Sequence, residues 1–194
     1  MTWPSRLTAV PTSRLFHDQE VTPSARTEAS PEQLRQHMSQ VPAVYQRLRD
    51  GANDADFEMM RSHPDPRVRA IGESYHHLFS PAGRDGRLEA DWRADGNLTI
   101  NRGHHRVEAA RELGLSYLPV HVRAPDQTTL TEACRTYENE VAAREPEVVA
   151  VHRRLAAERT RRSIAQRDPV TGPRLETRSD EWTRPSSPRP ERSR

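Results

Sequence analysis

The stretch Leu98–Val122 reads LTINRGHHRVEAARELGLSYLPVHV and decides the fold expected of this chain. Its first residues, Leu98–Ile100, alternate apolar and polar side chains with the two-residue period of a half-buried strand. Asp95-Gly96 just before them is a hairpin turn signal, and residues 88–94 show the same alternation. The pattern therefore predicts an antiparallel hairpin of two short strands.

The period changes to that of a helix from His105 onward, because the apolar residues now recur every three or four positions. This helix is expected to end at Gly114, since glycine adopts the left-handed conformation common at helix ends without penalty. The apolar segment Tyr117–Val122 then predicts the next strand.

A helix that follows a strand and a glycine turn directs unpaired backbone amides and the positive end of its dipole to one point. Such a point favours an anion, most often a phosphate. Gly103 permits a close approach and Arg106 offers a planar charged group, while two histidines can donate hydrogen bonds or move a proton near neutral pH. The predicted phosphate site comprises Asn101, Arg102, Gly103, His104, His105 and Arg106. The alternative is an ordinary turn whose polar residues are only solvated.

Several short motifs of this region resemble those of the ParB/sulfiredoxin superfamily. They occur in the family's order over residues 85–123, and residues 8–16 resemble its opening strand. The matching segments are Asp95–Ile100, Gly103–Arg106, Glu108–Leu115 and Leu118–Val120. The resemblance implies an α+β fold with a small mixed sheet covered by helices, and it assigns nucleotide-phosphate binding to Gly103 and Arg106.

The residue at position 104 differs from the family's, and this changes the chemistry that the resemblance implies. Sulfiredoxins carry their catalytic cysteine there and ParB partition proteins carry a glutamate, whereas this chain has His104. Sulfinic acid reduction is therefore not expected. Histidine-containing versions occur in ParB-like nucleases and small-molecule kinases, so His104 and His105 are the candidate catalytic residues of a nucleotide hydrolase, kinase or nuclease. The expected cofactors are CTP or ATP, with Mg²⁺.

The composition limits the class of protein. Apolar residues make up 33% of the 194 positions and charged residues 30%, with 16 prolines against 8 glycines, so a modest core and substantial disorder are expected. The absence of a long apolar run and of a secretory signal predicts a cytoplasmic protein, and its arginine-only basic residues are typical of a bacterial genome rich in GC. The single cysteine, Cys134, excludes an intrachain disulfide and a cysteine-rich zinc site.

Five segments are expected along the chain. They are an N-terminal segment (1–29), a helical insert (30–80), the ParB/sulfiredoxin-like region (81–127), C-terminal helices (128–167) and a disordered basic tail (168–194). The opening strand is predicted over residues 9–16.

Capping residues and apolar spacing predict the helices. Ser30–Gln33 has a capping serine, proline at the first helical position and glutamine at the third. Further helices of the insert are expected over residues 44–48, 53–62 and, after the turn at residues 63–66, over residues 68–79. A second capping box, Thr129–Glu132, predicts the start of another helix, and Pro146 the start of the last one.

The last helix carries arginines on the face predicted to point outward. They are Arg153, Arg154, Arg159, Arg161 and Arg162. Residues 151–194 hold 12 basic and 6 acidic side chains, whereas residues 1–150 hold 18 and 22. A basic face can contact a polyanion, so Arg153, Arg154, Arg161 and Arg162 are the candidate nucleic-acid contacts, and a solvated helix face is the alternative. No helix-turn-helix is evident, which argues against site-specific DNA partitioning.

Two histidine pairs, His76-His77 and His104-His105, raise the question of a metal site. Adjacent helical side chains point about 100° apart, so one pair rarely supplies two ligands to one ion. A site would need the second pair to meet His77, His121 or a carboxylate such as Asp91 across the fold, and no ligand set follows from the sequence.

Three functions from different classes remain open. The first is a domain that binds a nucleotide or another phosphate ligand at Gly103–Arg106 and is linked to DNA transactions. The second is a phosphoryl-transfer enzyme or nuclease that uses the same pocket. The third is a non-catalytic adaptor that binds DNA or protein through the arginine-rich C-terminal region.

Overall fold

In the computed structural model, which describes residues 3–17, 30–80 and 87–167, five strands form one mixed sheet covered by seven helices. The strands are β1 (Ser5–Pro11), β2 (Leu15–Phe16), β3 (Glu89–Trp92), β4 (Leu98–Arg102) and β5 (Tyr117–Arg123). The helices are α1 (Pro31–Ser39), α2 (Val41–Arg49), α3 (Asp54–Arg61), α4 (Pro66–Leu78), α5 (His104–Glu112), α6 (Gln127–Ala142) and α7 (Pro146–Arg167). The predicted α+β class, with a small mixed sheet covered by helices, is confirmed.

The strands lie in the order β1-β5-β3-β4-β2. As predicted, β3 and β4 pair antiparallel, and the turn between them contains Gly96 at φ +80°. Strand β5 is antiparallel to β1 and parallel to β3, while β2 is parallel to β4. Phe16 of β2 lies opposite Thr99, so the chain that leaves β2 runs toward the end of β4.

The opening strand differs from its predicted span of residues 9–16. Strand β1 begins earlier, and a 3-10 helix at Thr12–Arg14 separates it from β2. The Thr12 hydroxyl donates to the Leu115 carbonyl at 2.6 Å, and the Thr12 amide donates to the Ser116 carbonyl at 3.0 Å. The turn anchored in this way carries the chain from one edge of the sheet to the other, which a single continuous strand cannot do.

The helix starts follow local capping chemistry. Ser30 and Gln33 form the predicted capping box at the start of α1, and α7 begins at Pro146. Helix α6 begins before the predicted box, because the Asp126 carboxylate is the cap and accepts from the amide of Thr129 at 2.9 Å. An aspartate is as good a cap as a threonine. Asp126 precedes Thr129 in the chain, so the helix begins after Asp126.

One continuous hydrophobic core joins the helices to the sheet. The rings of Phe57 and Tyr75 stack with centroids 3.8 Å apart, and Tyr75 stacks on Phe79 at 5.6 Å. Tyr45 meets Phe79 and Tyr117 edge to face, which ties α2 and α4 to β5. Helix α1 contacts both α4 and α5, so the core holds these helices beside the strand-turn-helix of the predicted site.

The tail predicted for residues 168–194 lies outside the described residues. Within the described ranges, no helix combines the length and the apolar character needed to cross a membrane.

Candidate functional site

Helix α5 begins directly after β4 at Gly103, whose φ is +93°. The Gly103 carbonyl accepts from the amides of Arg106 at 2.9 Å and Val107 at 3.1 Å. The amides of His104 and His105 precede these, and no described side chain caps this end of the helix. The first turn of α5 therefore presents backbone donors and the positive end of its dipole.

Gly103 also has a structural role. A β-carbon at this position would overlap the side chain of Leu88, and the positive φ independently disfavours other residues. The close approach that the glycine permits is thus made by the protein's own chain. A bound ligand would therefore have to contact the groups around the helix start.

The Arg106 side chain is one such group. It is half-buried, and its Nε atom is buried without a hydrogen-bond partner among the described residues. Burial lowers the pKa of the Arg106 guanidinium, and the charge of Arg102 lowers it to a lesser extent. The charge of Arg106 in turn lowers the pKa values of His37 and His77. The guanidinium therefore lies near α1 and α4. Leaving a buried donor unpaired costs about 1–3 kcal/mol, which an acceptor on a ligand would recover.

The helices beside Arg106 contribute a histidine cluster, which consists of His37, His76 and His77. The rings of His37 and His77 stack at 5.2 Å, and those of His76 and His77 meet edge to face at 5.8 Å. Burial lowers the pKa of all three, that of His77 to about 4. At neutral pH the cluster is uncharged, so it offers hydrogen-bonding atoms without adding to the positive charge of Arg106.

His17 lies against His104, with the two rings stacked 5.2 Å apart and 27° from parallel. Its Nε2 atom is 2.6 Å from Oε1 of Glu108, and the same oxygen accepts from Arg111 at 2.8 Å. The other ring nitrogen of His17, Nδ1, is buried and has no hydrogen-bond partner among the described residues. One face of α5 therefore carries a carboxylate–imidazole pair stacked on a second imidazole.

The environment sets the charge of these groups. Burial and the neighbouring His17 lower the pKa of His104, while a hydrogen bond with the Ile100 carbonyl acts to raise it. Burial acts to raise the pKa of Glu108, but the hydrogen bond from His17 and the charge of Arg111 bring it below its ordinary value. At neutral pH the site thus holds an ionised Glu108 beside a neutral His104.

The remaining predicted residues lie at the rim. Asn101 and Arg102 are exposed at the end of β4, and His105 is half-buried in the first turn of α5. Arg102 is near enough to Arg106 to lower its pKa. The structure thus brings the predicted residues together at one helix start, with Arg106 and His104 in its most enclosed part.

The sequence did not predict the pairing of His17 with Glu108, and it singled out His76 and His77 only as possible metal ligands, without His37. Glu108 follows His104 by four residues, and this spacing places both on one face of a helix, so a search for acid–histidine pairs would have found it. His17 has no such signal, because it meets Glu108 only through the parallel pairing of β2 with β4.

Four of the α7 arginines bond to the body of the protein, although Arg153 and Arg162 remain exposed on the predicted outward face. The bonded pairs are Arg153 with Glu138, Arg154 with the Leu48 carbonyl, Arg159 with the Phe79 carbonyl, and Arg162 with Asp54. Arg161 is exposed. These bonds hold α7 against α2, α3, α4 and α6, so three of the four arginines predicted to contact nucleic acid already have partners within the protein.

The histidine pairs do not build a metal site within the described ranges, where no group of three or more His, Cys, Asp or Glu side chains could hold an ion. His121 is instead a half-buried residue of β5 whose pKa falls to about 4 through burial and the nearby Arg87 and Arg159. Cys134 is buried on α6, and burial raises its pKa to about 12.

No protein-family model and no curated protein matches the chain. Among solved structures, it is similar to the C-terminally truncated chromosome-partitioning protein ParB from Caulobacter crescentus, crystallised in complex with CTP-gamma-S. The two share 18% identity with a TM-score of 0.30, and the similarity covers 67% of this chain and 50% of that one. A similarity of this strength assigns neither a function nor a binding residue to the chain.

Proposed function

We propose that this protein binds a nucleotide, through its phosphates, at the start of α5. The observation that carries the proposal is the buried, unpartnered Nε of Arg106 beside a helix start that no described side chain caps. Both features leave donors without acceptors at one place, and phosphate oxygens are acceptors that suit a helix N-terminus and a guanidinium alike.

The position of each residue determines which part of the nucleotide it would contact. The amides of His104 and His105 would bind phosphate oxygens along the helix axis, and Arg106 would add charge-assisted hydrogen bonds from the side of α1 and α4. Arg102 and Asn101 lie at the exposed rim, where a base or sugar would reach solvent. Mg²⁺ usually binds through substrate phosphates and one or two carboxylates, so it would accompany the nucleotide.

The proposal is tested by calorimetric titration of the full chain with ATP, CTP, GTP and UTP, with and without MgCl₂. The variant R106Q removes the charged donor, and we expect it to weaken binding by at least about tenfold, the value of one hydrogen bond to a charged group. R135Q is the matched control, because it removes the same charge from an exposed position on α6. Equal affinity of R106Q and R135Q, or no binding by the wild type, would refute the assignment.

Binding to nucleic acid through α7 is not part of this proposal. Arg153, Arg154 and Arg162 hold the helix in place, and His152 and Leu155 of the same helix are buried. Deleting residues 151–194 would therefore remove part of the core together with any basic surface.

A further inference from the structure

The carboxylate–imidazole pair of Glu108 and His17 stands beside the helix start where the proposed function places a phosphate. The pair joins distant parts of the chain, since β2 brings His17 to α5 from 91 residues away in sequence. This inference deepens the proposed function and rests on it.

We propose that His17 is the general base of a nucleotide hydrolase, with Glu108 as the residue that orients it and His104 as the ring on which it stacks. The substrate class is a nucleoside triphosphate, and the second reactant is water. The water oxygen forms a bond to the terminal phosphorus while the bridging P–O bond breaks. The departing diphosphate keeps the electron pair of that bond, and the proton lost by the water goes to Nδ1 of His17.

The hydrogen bonds of His17 support this role. Nε2 is held by Glu108 at 2.6 Å, so the proton of the neutral ring lies on Nε2 and Nδ1 keeps a lone pair. A carboxylate that orients an imidazole in this way also stabilises the imidazolium formed when the ring takes up a proton. Nδ1 is therefore the free basic atom of the pair.

The unpaired state of Nδ1 points to a ligand. The atom is buried, the side chain is only 13% exposed, and no described residue bonds to it. Nε2 of His121 and Nδ1 of His152 are also buried and unpaired among the described residues, but of these three rings only that of His17 is held by a carboxylate and stacked on the first turn of α5. A water held between Nδ1 and a bound phosphate would satisfy this atom and is the nucleophile that the reaction requires.

His104 is neutral, and it can therefore stack on the His17 ring when that ring takes up a proton. It touches the His17 ring, and burial keeps its pKa below the ordinary value. A neutral His104 does not repel the positive charge that His17 acquires. His104 is thus a positioning residue, which revises the sequence prediction that it acts as the acid or base.

The test measures phosphate release from ATP, CTP, GTP and UTP with MgCl₂, alongside calorimetric binding of the same nucleotides. In H17Q the amide nitrogen can still donate to Glu108, but the basic nitrogen is absent. We expect kcat to fall by at least about 100-fold, the usual contribution of a general base, while nucleotide affinity stays within about threefold of wild type.

E108Q and its matched control E112Q separate orientation from charge. Both remove one carboxylate from α5, one helical turn apart, but only Glu108 contacts His17. E108Q should lower kcat without raising KM, and E112Q should leave kcat unchanged. Loss of kcat in H17Q with fold and nucleotide affinity retained is a separation that a purely structural role of His17 would not produce.

The outcomes distinguish the two proposals. Nucleotide binding without phosphate release by the wild type would overturn this inference and leave the binding function intact. Turnover by H17Q at the wild-type rate would do the same. If the wild type binds no nucleotide, both proposals fall. Should H17Q not fold, as judged by circular dichroism, H17N and E108Q provide the same comparison.

Discussion

His17 and His152 both have Nε2 at hydrogen-bond distance from a partner, yet the two partners differ in charge. His152 of α7 is 1% exposed, and its Nε2 is 2.7 Å from the Tyr45 hydroxyl. Burial lowers its pKa to about 3, so it stays neutral at any ordinary pH. His17 lies at the edge of the sheet, bonded to an ionised carboxylate. The same side chain is a structural element where it meets a neutral hydroxyl in the core, and a candidate proton acceptor where it meets a carboxylate at the edge of the sheet. The partner decides which.

The largest effect on stability is expected from acidification, which protonates the histidines whose pKa burial has lowered. His77, His121 and His152 have folded pKa values of about 4, 4 and 3, below the unfolded value of about 6.5. The unfolded chain therefore binds these protons first, so the stability they contribute is present above about pH 6.5 and is lost as the pH falls toward 4. His152 alone should account for about 2 kcal/mol between pH 7.5 and 5.

The check is urea unfolding of the wild type and of H152F at pH 7.5 and 5.0. The wild type should lose stability on acidification, and H152F should lose less because one of the buried imidazoles is absent. Identical losses in both proteins would show that His152 does not resist protonation.

Removing the buried ring entirely should come next in effect. H152A deletes the partner of Tyr45 and leaves a cavity in the core, and we expect a loss of about 3 kcal/mol of unfolding free energy. H63A, at an exposed position, is the control and should change stability by less than about 0.5 kcal/mol. Nucleotide affinity of folded H152A should equal that of wild type, and a large loss of affinity would mean that the interior and the helix start are coupled.

Gly103 offers a comparison within the site itself. G103A incurs both the positive φ and the overlap with Leu88, whereas G96A incurs only the positive φ, because the space around Gly96 is open. We expect G96A to cost about 1 kcal/mol and G103A about 2 kcal/mol, as measured by thermal unfolding. The double variant G103A/L88A should not show the extra overlap penalty, and equal costs for the two single variants would contradict the packing role of Gly103.

The smallest effect on stability is expected for E108Q. Its ion pairs with His17 and Arg111 are partly solvent-exposed, so their loss should lower the unfolding free energy by less than about 1 kcal/mol. The same substitution should lower turnover strongly, as proposed above. A large destabilisation of E108Q, measured by urea unfolding, would place Glu108 with His152 among the structural residues.

Much of the fold was predictable from short-range patterns. The β3–β4 hairpin, the capping box of α1, the helix after Gly103 and the start of α7 all appear where the sequence indicated. The predicted span of β1 was wrong because a turn held by Thr12 ends the strand. The predicted start of α6 was wrong because Asp126, and not Thr129, is the cap. The two-residue β2 carries too little pattern to be recognised, although it positions His17.

The strand-turn-helix and its glycine arise from interactions between residues a few positions apart, so they can be read along the chain. The contact of His17 with Glu108 arises only when β2 pairs with β4, and the proximity of Arg106 to His37 and His77 arises only when α1 packs against both α4 and α5. Burial, which sets the charge of each imidazole, is likewise a property of the assembled core, because it depends on groups brought together from distant parts of the chain.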